Sequence, residues 1–201
     1  MWSNMPRSKP LRLGPNRFAI PLYHNFGRKH GYTCTVSVAG GKITSKSYEA
    51  IPGIKQTQPA IVRRSDNELF AYLRDPTKKS LIFARFDVAR KRWSDAERLD
   101  LPNPNSAVDT EQTPDGKTLL VYNSSKDKRV PLSLAYSDDG ADFRKIFDFE
   151  DENSGTGFSY PAMIRADNGM YHLTYSYERT TIKHVQFSQQ WLDEKIAAEP
   201  P

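Results

Sequence analysis

The segment Ala60-Ile61-Val62-Arg63-Arg64-Ser65-Asp66-Asn67-Glu68-Leu69-Phe70-Ala71-Tyr72-Leu73-Arg74 decides the fold. An apolar run, a polar Ser65-Asp66-Asn67 step and a second run of aliphatic and aromatic residues read as a β-hairpin. Three other segments repeat the layout: residues 11–23 about Pro15-Asn16, residues 110–122 about Asp115-Gly116, and residues 162–175 about Asn168-Gly169. The turn residues Asn16, Asn67, Gly116 and Gly169 recur about every 50 residues. A third strand is expected at matching distance after each hairpin, over 35–38, 82–86, 133–137 and 182–187, and a further short strand after the first three. A repeat of about 50 residues built of four short strands is the sequence mark of a β-propeller blade. The expectation is therefore an all-β chain with blades near 5–50, 51–101, 102–152 and 153–192, followed by a tail, 193–201. The stretch from Gln189 to Ile196 is the one place where a short helix or cap is expected.

Composition narrows the function classes. With 37% hydrophobic and 26% charged residues the chain is polar but folded, and it contains no apolar run of about 18 residues that could form a membrane-spanning helix. The excess of 29 Lys+Arg over 24 Asp+Glu is spread as short pairs, such as Arg63-Arg64 and Lys78-Lys79, with no basic helix; no nucleic-acid partner is expected. The single Cys34 allows neither an internal disulfide nor a multi-cysteine metal site, and His24, His30, His172 and His184 lack metal-ligand spacing. Gly14-Pro15-Asn16 and Gly40-Gly41 are turn chemistry rather than phosphate loops, because no helix follows them. No cofactor and no metal are expected. The first residues lack a signal peptide, which leaves the compartment open.

The register of the repeat selects a polar ring. Nine residues before the turn marker lie Arg7, Gln58, Ala107 and Tyr160; seven after it lie Tyr23, Arg74, Asn123 and Ser176. The first set opens the innermost strand of each blade and the second closes its antiparallel partner, so both fall at one end of the blade. A ring of Arg, Tyr, Gln and Asn where packing would be apolar is a ligand-site candidate. Asn105, just ahead of an inner strand, is a further candidate for contact with a sugar hydroxyl, and Asp109 a carboxylate that could face the axis.

The turn Ser137-Asp138-Asp139-Gly140-Ala141-Asp142-Phe143 is a shortened form of the Asp-box, Ser-x-Asp-x-Gly-x-Thr-Trp, and Ser37 to Ile43 and Arg85-Phe86-Asp87 through Trp93 are partial copies at the same phase. On these turns, and on Phe158-Ser159-Tyr160-Pro161 and Leu101-Pro102-Asn103-Pro104-Asn105-Ser106, the chain resembles the bacterial sialidase-like proteins, or predicted neuraminidases, with Asp-box (BNR) repeats. The resemblance implies a six-bladed propeller, of which this chain carries about four blades and is expected to be a fragment, the longer protein being secreted or periplasmic. It further implies a glycosidase acting on terminal acidic sugars of glycans, such as sialosides. Arg74 and Arg129 fall on two of the three arginines that hold the substrate carboxylate, and Tyr160 falls on the nucleophile. The base that activates this tyrosine in the family is a Glu; Gln58 stands there. The departure keeps two other readings open, a related glycosidase or uronate lyase and a non-catalytic glycan-binding propeller.

Overall fold

In the computed structural model, which describes residues 4–25, 27, 29–151 and 155–198, the chain is an all-β, four-bladed propeller of antiparallel sheets. Blade one comprises β1 (Met5–Pro6), β2 (Leu11–Gly14), β3 (Arg17–His24), β4 (His30–Ala39) and β5 (Lys42–Ala50); its inner strand is broken, with both β1 and β2 pairing with β3. Blade two runs through β6 (Thr57–Ser65), β7 (Glu68–Arg74), β8 (Ile82–Asp87), β9 (Arg92–Trp93) and β10 (Glu97–Arg98). Blade three is the four-stranded meander β11 (Asp109–Gln112), β12 (Thr118–Asn123), β13 (Leu132–Ser137) and β14 (Arg144–Glu150). Blade four has three strands, β15 (Phe158–Arg165), β16 (Tyr171–Tyr177) and β17 (Thr181–Phe187), and then α1 (Gln189–Ala198), so the tail does form a helix. The hairpin of the deciding segment pairs Ile61 with Ala71 and Val62 with Phe70.

Strand alternation explains the stacking. Successive side chains point to opposite faces of a sheet, so a strand sandwiched between blades must be apolar at every position. In β7, Leu69, Ala71 and Leu73 join the cluster shared with blade one, whereas Phe70 and Tyr72 join the cluster shared with blade three. In β12, Leu120 and Tyr122 face blade two while Leu119 and Val121 face blade four. Three apolar clusters thus fill the three blade interfaces.

The turns after the third strands lock neighbouring blades together. Asp139 Oδ1 accepts from the Ser137 hydroxyl and from the backbone N–H groups of Ala141 (2.8 Å) and Asp142 (2.9 Å), and these bonds hold its carboxyl down at about 2. The braced turn lays the Gly140 carbonyl against the Tyr72 hydroxyl at 2.7 Å. Gly140, at φ +79°, lies so near Phe70 that a Cβ there would come within 2.2 Å of the ring. Phe143 then stacks edge-on against Tyr72. One blade earlier the same device recurs: Asp87 Oδ1 accepts from Arg90 N, and buried Trp93 donates from Nε1 to Thr33 Oγ1 of blade one at 3.1 Å.

Candidate functional site

Two backbone irregularities build the site. Gln58 and Tyr160 occupy equivalent positions at the start of the inner strands of blades two and four, each followed by a proline. Each has positive φ, 54° and 55°, although a residue before proline favours extended backbone and the left-handed region costs a non-glycine residue about 1–2 kcal/mol. Each lies where the ladder to the next strand skips a residue, between Thr57 and Ala60 and between Ser159 and Ala162. A bulge of this kind re-aims a side chain out of strict alternation.

The re-aimed side chains meet two arginines. Arg74, which closes β7, donates from Nη1 to Gln58 Oε1 at 3.0 Å and from Nε to Asn105 Oδ1 at 2.5 Å. Arg129 donates from Nη1 to the Ser159 hydroxyl at 2.8 Å and from Nη2 to the Asn105 carbonyl at 3.3 Å, and its guanidinium lies 5.8 Å from the centre of the Tyr160 ring. Asn105, itself at φ 59°, therefore bridges both arginines. The Arg129 backbone is pinned by Phe158 N donating to its carbonyl and by Gly157, whose φ of +81° and close approach leave no room for a Cβ. Neither guanidinium has a carboxylate partner among the described residues. Burial lowers the Arg74 pKa and the nearby charge of Arg129 lowers it further.

Tyr160 is 48% exposed at this cluster. Burial raises its phenol, but the charge and hydrogen bonding of Arg129, followed by those of Arg74, outweigh it and set the pKa below the ordinary tyrosine value. Gln58, by contrast, is 7% exposed and committed at both ends: Oε1 accepts from Arg74 and Nε2 donates to the Tyr23 hydroxyl at 3.3 Å. The structure thus gathers Tyr23, Gln58, Arg74, Asn105, Arg129 and Tyr160 at one end of the propeller.

Three other expected residues spend their side chains on backbone groups, Arg7 at the edge of the cluster, where the charges of Tyr160, Tyr23 and Arg74 act on it. Arg7 donates from Nη1 to the Val108 carbonyl and from Nη2 to the Pro161 carbonyl, tying blade one to the inner strands of blades three and four. Asp109 Oδ2 accepts from Met163 N at 2.8 Å and pairs with Lys9, so its carboxylate is a brace between β11 and β15. Asn123 is 0% exposed and its Nδ2 donates to the carbonyls of Pro131 and Phe158; it supports the site from beneath and does not reach the surface. The ring is interrupted in blade three because β11 begins only at Asp109 and Ala107 is buried.

The register did not point to the cavity that adjoins the cluster. A space of about 560 Å³ is lined by Asn105 and Arg129 together with Lys78, Asp127, Lys128 and Arg179. These last four lie in the loops that follow the second strand of blades two, three and four. Strand periodicity carries no signal for such positions; the runs Lys78-Lys79 and Lys126 to Arg129 were the available hint.

Four antiparallel blades at a repeat of about 50 residues define the chain as a repeat-built β-propeller. The chain belongs to the BNR repeat-like domain family, which matches residues 2–173. The NanB sialidase of Streptococcus pneumoniae is similar at a TM-score of 0.67 and 14% identity over 90% of this chain and 30% of that one. The intramolecular trans-sialidase of Ruminococcus gnavus is similar at 0.65 and 16%, over 92% and 42%. The exo-beta-1,3-galactanase of Phanerochaete chrysosporium is similar at 0.62 and 10%, over 92% and 48%. This chain thus spans less than half the length of each of these proteins. No curated protein matches the sequence.

Proposed function

We infer that the chain forms the substrate site of a sialidase-like glycoside hydrolase acting on terminal acidic sugars of glycans. One observation carries the reading: two guanidinium groups with no carboxylate partner among the described residues converge on an exposed tyrosine. Like charges held together repel, and a carboxylate between them relieves that repulsion while accepting charge-assisted hydrogen bonds from both planar groups. Asn105 fixes their spacing. Tyr160 then faces the carbon that bears the carboxylate. A neutral phenol approaches this centre without the repulsion an Asp or Glu would meet, and sialidases are exceptions to the two-carboxylate scheme in this respect. In the reaction the Tyr160 oxygen bonds to the anomeric carbon as the bond to the aglycone oxygen breaks, and the phenolic proton passes through solvent to that departing oxygen. Water then bonds to the anomeric carbon as the tyrosyl C–O bond breaks, one of its protons returning to the phenol oxygen and the other staying on the new hydroxyl of the released sugar.

The committed amide of Gln58 favours a second reading, a glycan-binding propeller that keeps the carboxylate clamp without turnover, since an amide does not take the phenolic proton. Cleavage of a fluorogenic sialoside by the full chain and by Tyr160→Phe separates the two. The hydrolase reading expects turnover that Tyr160→Phe abolishes while binding persists. The binding reading expects no turnover from either chain.

A further inference from the structure

We propose that the cavity beside the arginine pair is a second anion subsite, so that the preferred ligand is a glycan carrying two anionic groups: one on the terminal sugar and another, carboxylate or sulfate, on the neighbouring unit. The inference rests on the acidic-sugar reading of the Arg74–Arg129 pair and extends it. Four cations, Lys78, Lys128, Arg129 and Arg179, line this space against the single carboxylate of Asp127. Among the described residues Lys78, Lys128 and Arg179 have no ion-pair partner, so their charges are left for a ligand. Arg129 belongs to both spaces, which makes the subsite continuous with the clamp.

The backbone singles out the same place. Of the seven described non-glycine residues with positive φ, Lys78 (56°), Asn105 (59°) and Arg179 (60°) line the cavity and Gln58 and Tyr160 belong to the cluster beside it. Strain concentrated in this way marks positions held for binding rather than for stability. The loop bearing Lys78 is wound around the buried carboxylate of Asp75, which accepts from Thr77 N at 2.7 Å and is paired with Arg98. Arg179 sits in the turn between β16 and β17, closed by Thr180 N donating to the Tyr177 carbonyl, and both central residues, Glu178 and Arg179, have positive φ. Asn-Gly adopts that turn with far less strain. A charged pair stands where the turn geometry disfavours it.

Titration calorimetry on the full chain tests the proposal with three probes: the methyl glycoside of N-acetylneuraminic acid, its disaccharide with two carboxylates, and a sialoside with a sulfate on the adjacent sugar. One of the two dianionic probes is expected to bind about tenfold or more tighter than the monoanionic one, since the second anion gains charge-assisted hydrogen bonds from otherwise unpaired cations. Which of them does so identifies the second anion. Lys128→Ala and the double change Glu178→Asn with Arg179→Gly are expected to weaken the dianionic probes by a larger factor than the monoanionic one. The double change should also raise the melting temperature, which a merely structural role for Arg179 would not. Equal affinity for all three probes, or equal losses across them in the variants, overturns the second subsite while leaving the clamp standing. Failure of the wild-type chain to bind any acidic probe overturns the clamp and the subsite together.

Discussion

Arg74 and Gln58 are joined by a 3.0 Å hydrogen bond from the guanidinium Nη1 to the amide Oε1, and the other end of the same amide donates to Tyr23. In the proposed hydrolase Gln58 stands where a base would act, and the pair fills that place without leaving a hole in the network. It satisfies the arginine and holds it in place, but it offers the phenol of Tyr160 no proton acceptor. In the proposed reaction, activation of that phenol rests on the positive charge of Arg129 and Arg74, which lowers its pKa against the effect of burial.

Gln58→Glu is accordingly a test of what is missing. The carboxylate keeps the acceptor role toward Arg74 with added charge and introduces a general base, a contribution of about 10²–10⁴ in rate where the geometry is right. A rise in sialoside turnover of about 100-fold or more is expected, followed in a continuous fluorogenic assay. An unchanged or lower rate in a folded Gln58→Glu chain would place the base elsewhere.

The phenol itself can be titrated. Tyr160 is expected to ionise below the ordinary value, and to move upward in Arg129→Gln, because removing that charge leaves burial, which raises the pKa, less opposed. Ultraviolet difference titration of the wild type against Tyr160→Phe isolates its contribution. A Tyr160 that titrates at or above free tyrosine contradicts the arrangement.

Asp139 supplies a stability test. Its folded pKa of about 2 is depressed by the N–H groups of Ala141 and Asp142, so the stability it contributes is present above the unfolded value near 3.9 and is lost as pH falls toward about 2. The turn lies at the surface, where solvent screens the charge. Asp139→Ala should therefore cost only about 1–2 kcal/mol at neutral pH in urea melts, with the difference from wild type shrinking on acidification. A difference that grows at low pH would have the wrong sign.

Much of this architecture was legible from residue order because the blades repeat one hairpin: the turns at Asn16, Asn67, Gly116 and Gly169 all close hairpins in the structure. The apolar runs of β7 and β12 could be read as fully buried because both of their faces meet a neighbouring blade. The polar ring was legible where the bulged inner strand is present, at Gln58 and Tyr160, and misleading in blade three, where the strand starts late and Asn105 takes over from a loop. Asn123 falls in the register of the polar ring and Asp109 opens the neighbouring inner strand, yet their side chains turn to backbone groups of blade four. Lys78 and Arg179 were hidden because they lie in the loops between strands, which leave no period in the sequence.

The carboxylate clamp is tested most directly by comparing, by calorimetry on the full chain, the affinity for the methyl glycoside of N-acetylneuraminic acid with that for its carboxyl methyl ester. The acid is expected to bind at least about tenfold more tightly in the wild type, and Arg74→Ala, checked for folding by circular dichroism, is expected to erase the difference. Equal binding of acid and ester by the wild-type chain would contradict a site built around Arg74 and Arg129.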